Sequence, residues 1–141
     1  MELADTSAWT NRHKDIAVEA DFNSRVLASE IAICPMVELE LLWTARTKLE
    51  FEEIREELEA LPAVVISPEA WAHAIDVWHE LTRRDKHRQV KQPGLLIAAA
   101  AELAGVGVCH YDADFDVISA VTRQPVRAIA PIGSLSAALS I

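Results

Sequence analysis

The run Gly107-Val108-Cys109-His110-Tyr111-Asp112-Ala113-Asp114-Phe115-Asp116 decides how the chain is read. A short apolar stretch ends abruptly in carboxylates. That is the pattern of a buried strand that delivers acidic groups to its carboxyl end, where open α/β sheets place their sites. Acidic groups gathered at such an end call for a hard cation.

Partners for this stretch come from elsewhere in the chain. Asp5 follows the short apolar start Glu2-Leu3-Ala4, Glu40 comes just after Ile31-Ala32-Ile33-Cys34, and Gln92-Pro93-Gly94-Leu95-Leu96-Ile97-Ala98 opens a helix. Asp5-Thr6-Ser7 before Ala8-Trp9 is also a helix-capping signature, so Asp5 reads either as a cap alone or as part of a site. Pro35 starts a helix in which Val37, Leu39, Leu41, Leu42 and Ala45 predict cover on several sides. A carboxylate at Glu40 in such surroundings is costly unless paired or coordinated, whereas Glu38 faces elsewhere and reads as solvated.

Hydrophobic periodicity supplies the remaining elements. Helices are predicted at 15–28, at 49–61 with a solvated acidic face, from Ser67 and Pro68 to about 82, at 95–104 closed by Gly105, and at 115–120. The helix after Ser67 carries the stripe Trp71, Ala74, Ile75, Trp78, Leu81 and Thr82, whose tryptophans read as core. Strands are predicted at 2–4, 31–34, 64–66 and 126–130, besides the central run. The chain reads as one α/β domain over 1–135, a short, mainly parallel sheet between helices, with a tail at 136–141.

A 51% hydrophobic fraction over 141 residues suits a globular domain with a real core. No apolar run approaches the roughly 18 residues that span a bilayer, and the N-terminus has no leader pattern, so the expected location is cytoplasmic. Cys34 and Cys109 lack metal-type spacing and read as buried free thiols.

The net charge of −9 opposes nucleic-acid binding unless the basic residues are gathered. Arg83, Arg84, Lys86, Arg88 and Lys91 are gathered, against the single acid Asp85, in an exposed connection running into Pro93-Gly94. Phosphate contact is the functional reading of that segment, and a solubilising loop the bland one. The acidic surface also suits a basic protein partner.

Asp112-Ala113-Asp114-Phe115-Asp116 fails as an EF-hand, because Val117 stands at the sixth loop position and Arg123 at the twelfth. It fails as a phosphatase D-x-D motif because it lies near the end of the chain instead of after the first strand. What remains is a hard-metal site of Asp5, Glu40, Asp112 and Asp114, whose all-oxygen ligands favour Mg²⁺ or Mn²⁺ over Zn²⁺. His110 reads as a packed or surface residue.

In their order and setting, Leu3-Ala4-Asp5-Thr6-Ser7-Ala8-Trp9, Glu40-Leu41-Leu42-Trp43-Thr44-Ala45-Arg46 and His110-Tyr111-Asp112-Ala113-Asp114-Phe115-Asp116 resemble the PIN-domain ribonucleases, specifically the VapC-type toxins of toxin–antitoxin pairs. The likeness runs from Asp5 to about Leu135. It implies a PIN-like three-layer fold and a metal-dependent endoribonuclease acting on RNA, with Asp5, Glu40 and Asp112 catalytic and Thr6 or Ser7 holding a site carboxylate. It further implies a homodimer and a VapB-type antitoxin that blocks the acidic pocket. In one respect the chain departs from the family: Gly94 stands where a third acidic residue is usual. That departure implies impaired activity, and it leaves as the alternative a weak or inactive PIN-fold binding protein that retains antitoxin binding.

Overall fold

The computed structural model describes residues 1–135, and the tail expected at 136–141 lies outside the described residues. In chain order the elements are β1 (Glu2–Ala4), α1 (Thr6–Asn11), α2 (Ile16–Leu27), β2 (Ile31–Ala32), α3 (Pro35–Trp43), α4 (Lys48–Glu59), α5 (Pro68–Arg83), α6 (Gln92–Ala104), β3 (Gly107–His110), α7 (Asp114–Thr122) and β4 (Val126–Ala128). The strands form one all-parallel sheet in the order β2-β1-β3-β4. Because β1 is followed in the sheet by β2 on one side and by β3 on the other, the topological switch point lies between β1 and β3, where a crevice opens at the carboxyl ends.

Register follows from burial. Glu2 pairs with Gly107, Leu3 with Val108 and Ala4 with Cys109. Leu3, Ala4, Val108 and Cys109 are all fully enclosed, so a one-residue slip would turn this apolar set over. The start of β1 is fastened to β4 by Arg127, which donates from Nε and Nη2 to the Glu2 carboxylate at 2.8–3.2 Å. Both cysteines are free and buried, and burial pushes the Cys109 thiol up to about 12, which makes it inert near neutral pH.

Helix α6 is the structural backing of the site. Every residue from Leu95 to Ala101 is buried, and the small alanines let neighbouring backbones approach closely. Gly105 then takes the left-handed conformation (φ 71°) that ends the helix. Gln124, itself buried, donates from Nε2 to the Ala98 carbonyl at 2.9 Å and ties the end of α7 to this helix.

Three local expectations are corrected. Residues 64–66 do not form a strand. Their contact with the sheet is a single parallel bridge between Ile33 and Ala63, with Val64 N–H donating to the Ile33 carbonyl, and Val65 turns outward before Ser67 caps α5. The buried face of α5 is Ala70, Ala74, Val77 and Leu81, with Trp78 half-buried against the core; of the apolar residues in the expected stripe it is Trp71, 57% exposed, and Ile75, 65% exposed, that face outward. Helix α3 is not covered on several sides either, since Val37 is its buried residue while Leu39 and Trp43 are exposed.

Ala100→Leu should overpack α6 and destabilise the fold by about 1–3 kcal/mol. The urea midpoint measures this, and an unchanged midpoint would mean that the alanine face has room to spare.

Candidate active site

At the switch point, Asp5, Thr6, Ser7, Thr10, Asn11, Glu40, Lys91, Pro93, Gly94, Asp112, Asp114 and Phe115 line a cleft of about 270 Å³. Four carboxylates thus reach one space from α3, α7 and the ends of β1 and β3. Thr10 and Asn11 were not singled out from the sequence, although the i, i+4 spacing of Thr6 and Thr10, and of Ser7 and Asn11, puts them on the cleft side of α1.

Each carboxylate is held by one oxygen. Asp5 Oδ2 accepts from Ser7 Oγ at 2.6 Å and from Ser7 N–H at 3.0 Å, so Asp5 is both the cap of α1 and a member of the cleft. Glu40 Oε1 accepts from Thr6 Oγ1 at 2.9 Å. Asp112 Oδ1 accepts from the Asp114 N–H at 2.9 Å, and Asp114 Oδ2 accepts from the Lys91 N–H at 3.2 Å. Among the described residues the second oxygen of each takes no protein donor.

Ser7 does more than hold Asp5. Its hydroxyl also accepts from the Tyr111 N–H at 2.9 Å, which binds the end of β3 to the start of α1. His110 is buried at the end of β3, with Nδ1 accepting from the Asp112 N–H at 3.1 Å. Burial holds this imidazole below the ordinary histidine range.

Electrostatics in the cleft are unfavourable to the charged acids. Burial raises the Asp5 carboxyl above the usual range, and the nearby Asp112 carboxylate adds to the rise. Glu40 is raised by burial and, more weakly, by Asp5, and Asp114 by burial with a contribution from Asp112. The donors are all carboxylate oxygens, a set that suits Mg²⁺ or Mn²⁺. Among the described residues no three His, Cys, Asp or Glu side chains stand together as a ready-made metal cluster. At Gly94, which lines the cleft, an added Cβ would meet nothing closer than Phe115 Cζ at 3.7 Å, an ordinary contact.

The basic segment is only partly at the cleft. Lys91 lines it, whereas Arg83 and Arg84 pair with Glu80 at 3.2 and 3.3 Å, and Lys86 and Arg88 are exposed outside the lining. Among the described residues no helix is long and apolar enough to cross a membrane.

Comparison with known proteins places this geometry in a family. The PIN domain model matches residues 3–121. Ribonuclease VapC18 of Mycobacterium tuberculosis is 37% identical over 133 residues, 93% of this chain and 96% of the relative, and ribonuclease VapC21 of the same species is 37% identical over 105 residues, 74% and 76%. In fold the chain is similar to VapBC-1 from nontypeable Haemophilus influenzae, with TM-score 0.72 at 14% identity over 91% of this chain and 97% of that one. DNA-bound VapBC from Salmonella typhimurium gives TM-score 0.68 at 20% identity over 92% and 100%. The parallel sheet, the acidic cleft at its switch point and these relatives together make the chain a PIN-domain protein of the VapC ribonuclease family.

Proposed function

We propose that the chain is a Mg²⁺- or Mn²⁺-dependent endoribonuclease toxin of the cytoplasm, weakened by Gly94 and controlled by a VapB-type antitoxin. The observation that carries this reading is the set of four carboxylates in one cleft, each with one oxygen anchored and the other without a protein donor. A divalent cation bound there supplies charge neutralisation, activation of water and orientation of a phosphodiester. Asp5, Glu40 and Asp112 would hold it, with Asp114 assisting. Thr6 orients Glu40 and Ser7 orients Asp5, so neither carboxylate must be fixed at the moment of binding. Lys91 stands at the cleft to meet an RNA phosphate, and Arg83, Arg84, Lys86 and Arg88 extend positive charge along the strand's approach.

Two protein partners fit the surface. An antitoxin with a basic side chain would satisfy the free carboxylate oxygens, in keeping with the VapBC complexes among the structural relatives. A second copy of the chain would cover the exposed apolar side chains of Leu39, Trp43, Trp71 and Ile75. Gly94 favours the second reading of the chain, a binding protein with little catalysis, and the two readings differ in cleavage alone.

Titration of Mn²⁺ by calorimetry into the wild type and Asp112→Asn should show binding that the substitution weakens; superimposable isotherms would exclude Asp112 as a ligand. Gly94→Asp should restore EDTA-sensitive cleavage of total RNA by at least about 10-fold, since even groups that only support ligands are worth 10–100-fold. Equal cleavage by the Gly and Asp forms would remove position 94 from the ligand set. The raised carboxyls predict the metal-free behaviour. A carboxyl with a raised folded-state pKa binds its proton more tightly folded than unfolded, so stability falls as pH rises through that value. Metal-free Glu40→Gln should therefore melt higher than the wild type at pH 7, and the difference should shrink as pH approaches the ordinary carboxylate range of about 4. A difference constant with pH would contradict the charge argument.

A further inference from the structure

His110 is a buried polar ring that the reading above leaves unused. It is the last residue of β3, 1% exposed, and its ring lies 5.0 Å from that of Phe115 at 34°. A polar ring in such a place is costly unless its nitrogens do something that an apolar ring of the same size would not. The backbone around it shows what is left to be done. Past the end of β3 the strand ladder stops, and each free N–H finds a side chain: Tyr111 N–H goes to Ser7 Oγ, and Asp112 N–H goes to His110 Nδ1 at 3.1 Å. The His110 carbonyl in turn accepts from Ile129 N–H at 2.9 Å, so the ring is presented from a fixed backbone.

We propose that His110 is a positioning residue for Asp112: its Nδ1, held as an acceptor, fixes the Asp112 backbone so that the one unheld carboxylate oxygen faces the cleft. This rests on the proposed role of Asp112 as a cation ligand. Because Nδ1 accepts, the ring proton is on Nε2. Asp112 is then held twice, through its N–H by His110 and through Oδ1 by the Asp114 N–H at 2.9 Å, which leaves Oδ2 as the oxygen available to the cation. The same ring packs on Phe115, whose Cζ lies 3.7 Å from the point a side chain at position 94 would occupy. One imidazole therefore sets the position of Asp112 and backs the floor beneath Gly94.

Two variants separate this role from packing. His110→Phe keeps a ring and removes the acceptor, whereas His110→Asn places its Oδ1 where Nδ1 stood, two bonds from Cβ, and keeps it. Mn²⁺ affinity by calorimetry and the melting temperature of the metal-free protein are measured for both beside the wild type. His110→Asn should keep the wild-type affinity, and His110→Phe should lose about 10–100-fold without a matching loss of melting temperature. Wild-type affinity in His110→Phe would make the residue core packing alone and overturn the proposal. If His110→Phe fails to fold, His110→Asn decides: folded with affinity kept supports the acceptor role, folded with affinity lost overturns it. A wild type that takes up no Mn²⁺ removes the ligand role of Asp112 and this proposal with it, whereas binding unaltered by His110→Phe removes this proposal alone.

Discussion

The pairing of β1 with β3 is the constraint on which the rest of the molecule depends. Three residue pairs fix it, and the Asp5 N–H extends it by donating to the Cys109 carbonyl at 2.8 Å. Asp5 and the segment Tyr111–Asp112 consequently leave the sheet side by side, and Ser7 closes the gap by holding Asp5 with its proton and Tyr111 with its lone pair. Since Leu3 and Val108 have no exposed surface, the register that assembles the acids is enforced by apolar burial and not by contacts among the acids.

That separation matters because the acids themselves oppose folding. Asp5, Glu40 and Asp114 are each raised by burial, and the pairs Asp5–Asp112, Asp5–Glu40 and Asp112–Asp114 add repulsion. The offsetting stability lies in α6 and the sheet, where Leu95 to Ala101 and the apolar residues of β1 and β2 together with Val108 and Cys109 of β3 are buried. Gly94 bears on both sides of this balance. A carboxylate at the third residue of α6 would gain from the helix N-terminus yet repel its neighbours, so glycine relieves the metal-free protein of one charge and, under the proposed function, would leave the cation one oxygen short.

Legibility in the sequence followed the range of the interactions. Helices and the central strand were readable because capping, periodicity and the Gly105 stop are local, and the order of acids along the chain carried the family. The exposed Trp71 and Ile75 were misread because α5 offers two apolar stripes, and periodicity cannot say which one a neighbouring helix will choose. The segment 64–66 was misread because a strand exists only if an edge accepts it, and the edge offered one bridge at Ile33. Asp5 could not be assigned as cap or cleft member from sequence, and the structure shows why: it is both, capping α1 through Oδ2 while lining the cleft. The contact of His110 with the Asp112 N–H depends on the chain turning immediately after β3, which no residue type announces.

Charge sets the order of events under the proposed function. The protein carries a net −9, and at the cleft Lys91 faces four carboxylates. Arg83 and Arg84 are partly spent on Glu80, although such exposed pairs are worth little and exchange readily for a phosphate. An RNA backbone therefore meets a repulsive cleft until a cation has neutralised it, while the basic segment can hold the strand beside the cleft at any time. Cation binding must then precede productive seating of the phosphodiester. A weakened ligand set at Gly94 consequently impairs seating as well as the chemical step, and leaves binding through residues 83–91 largely untouched.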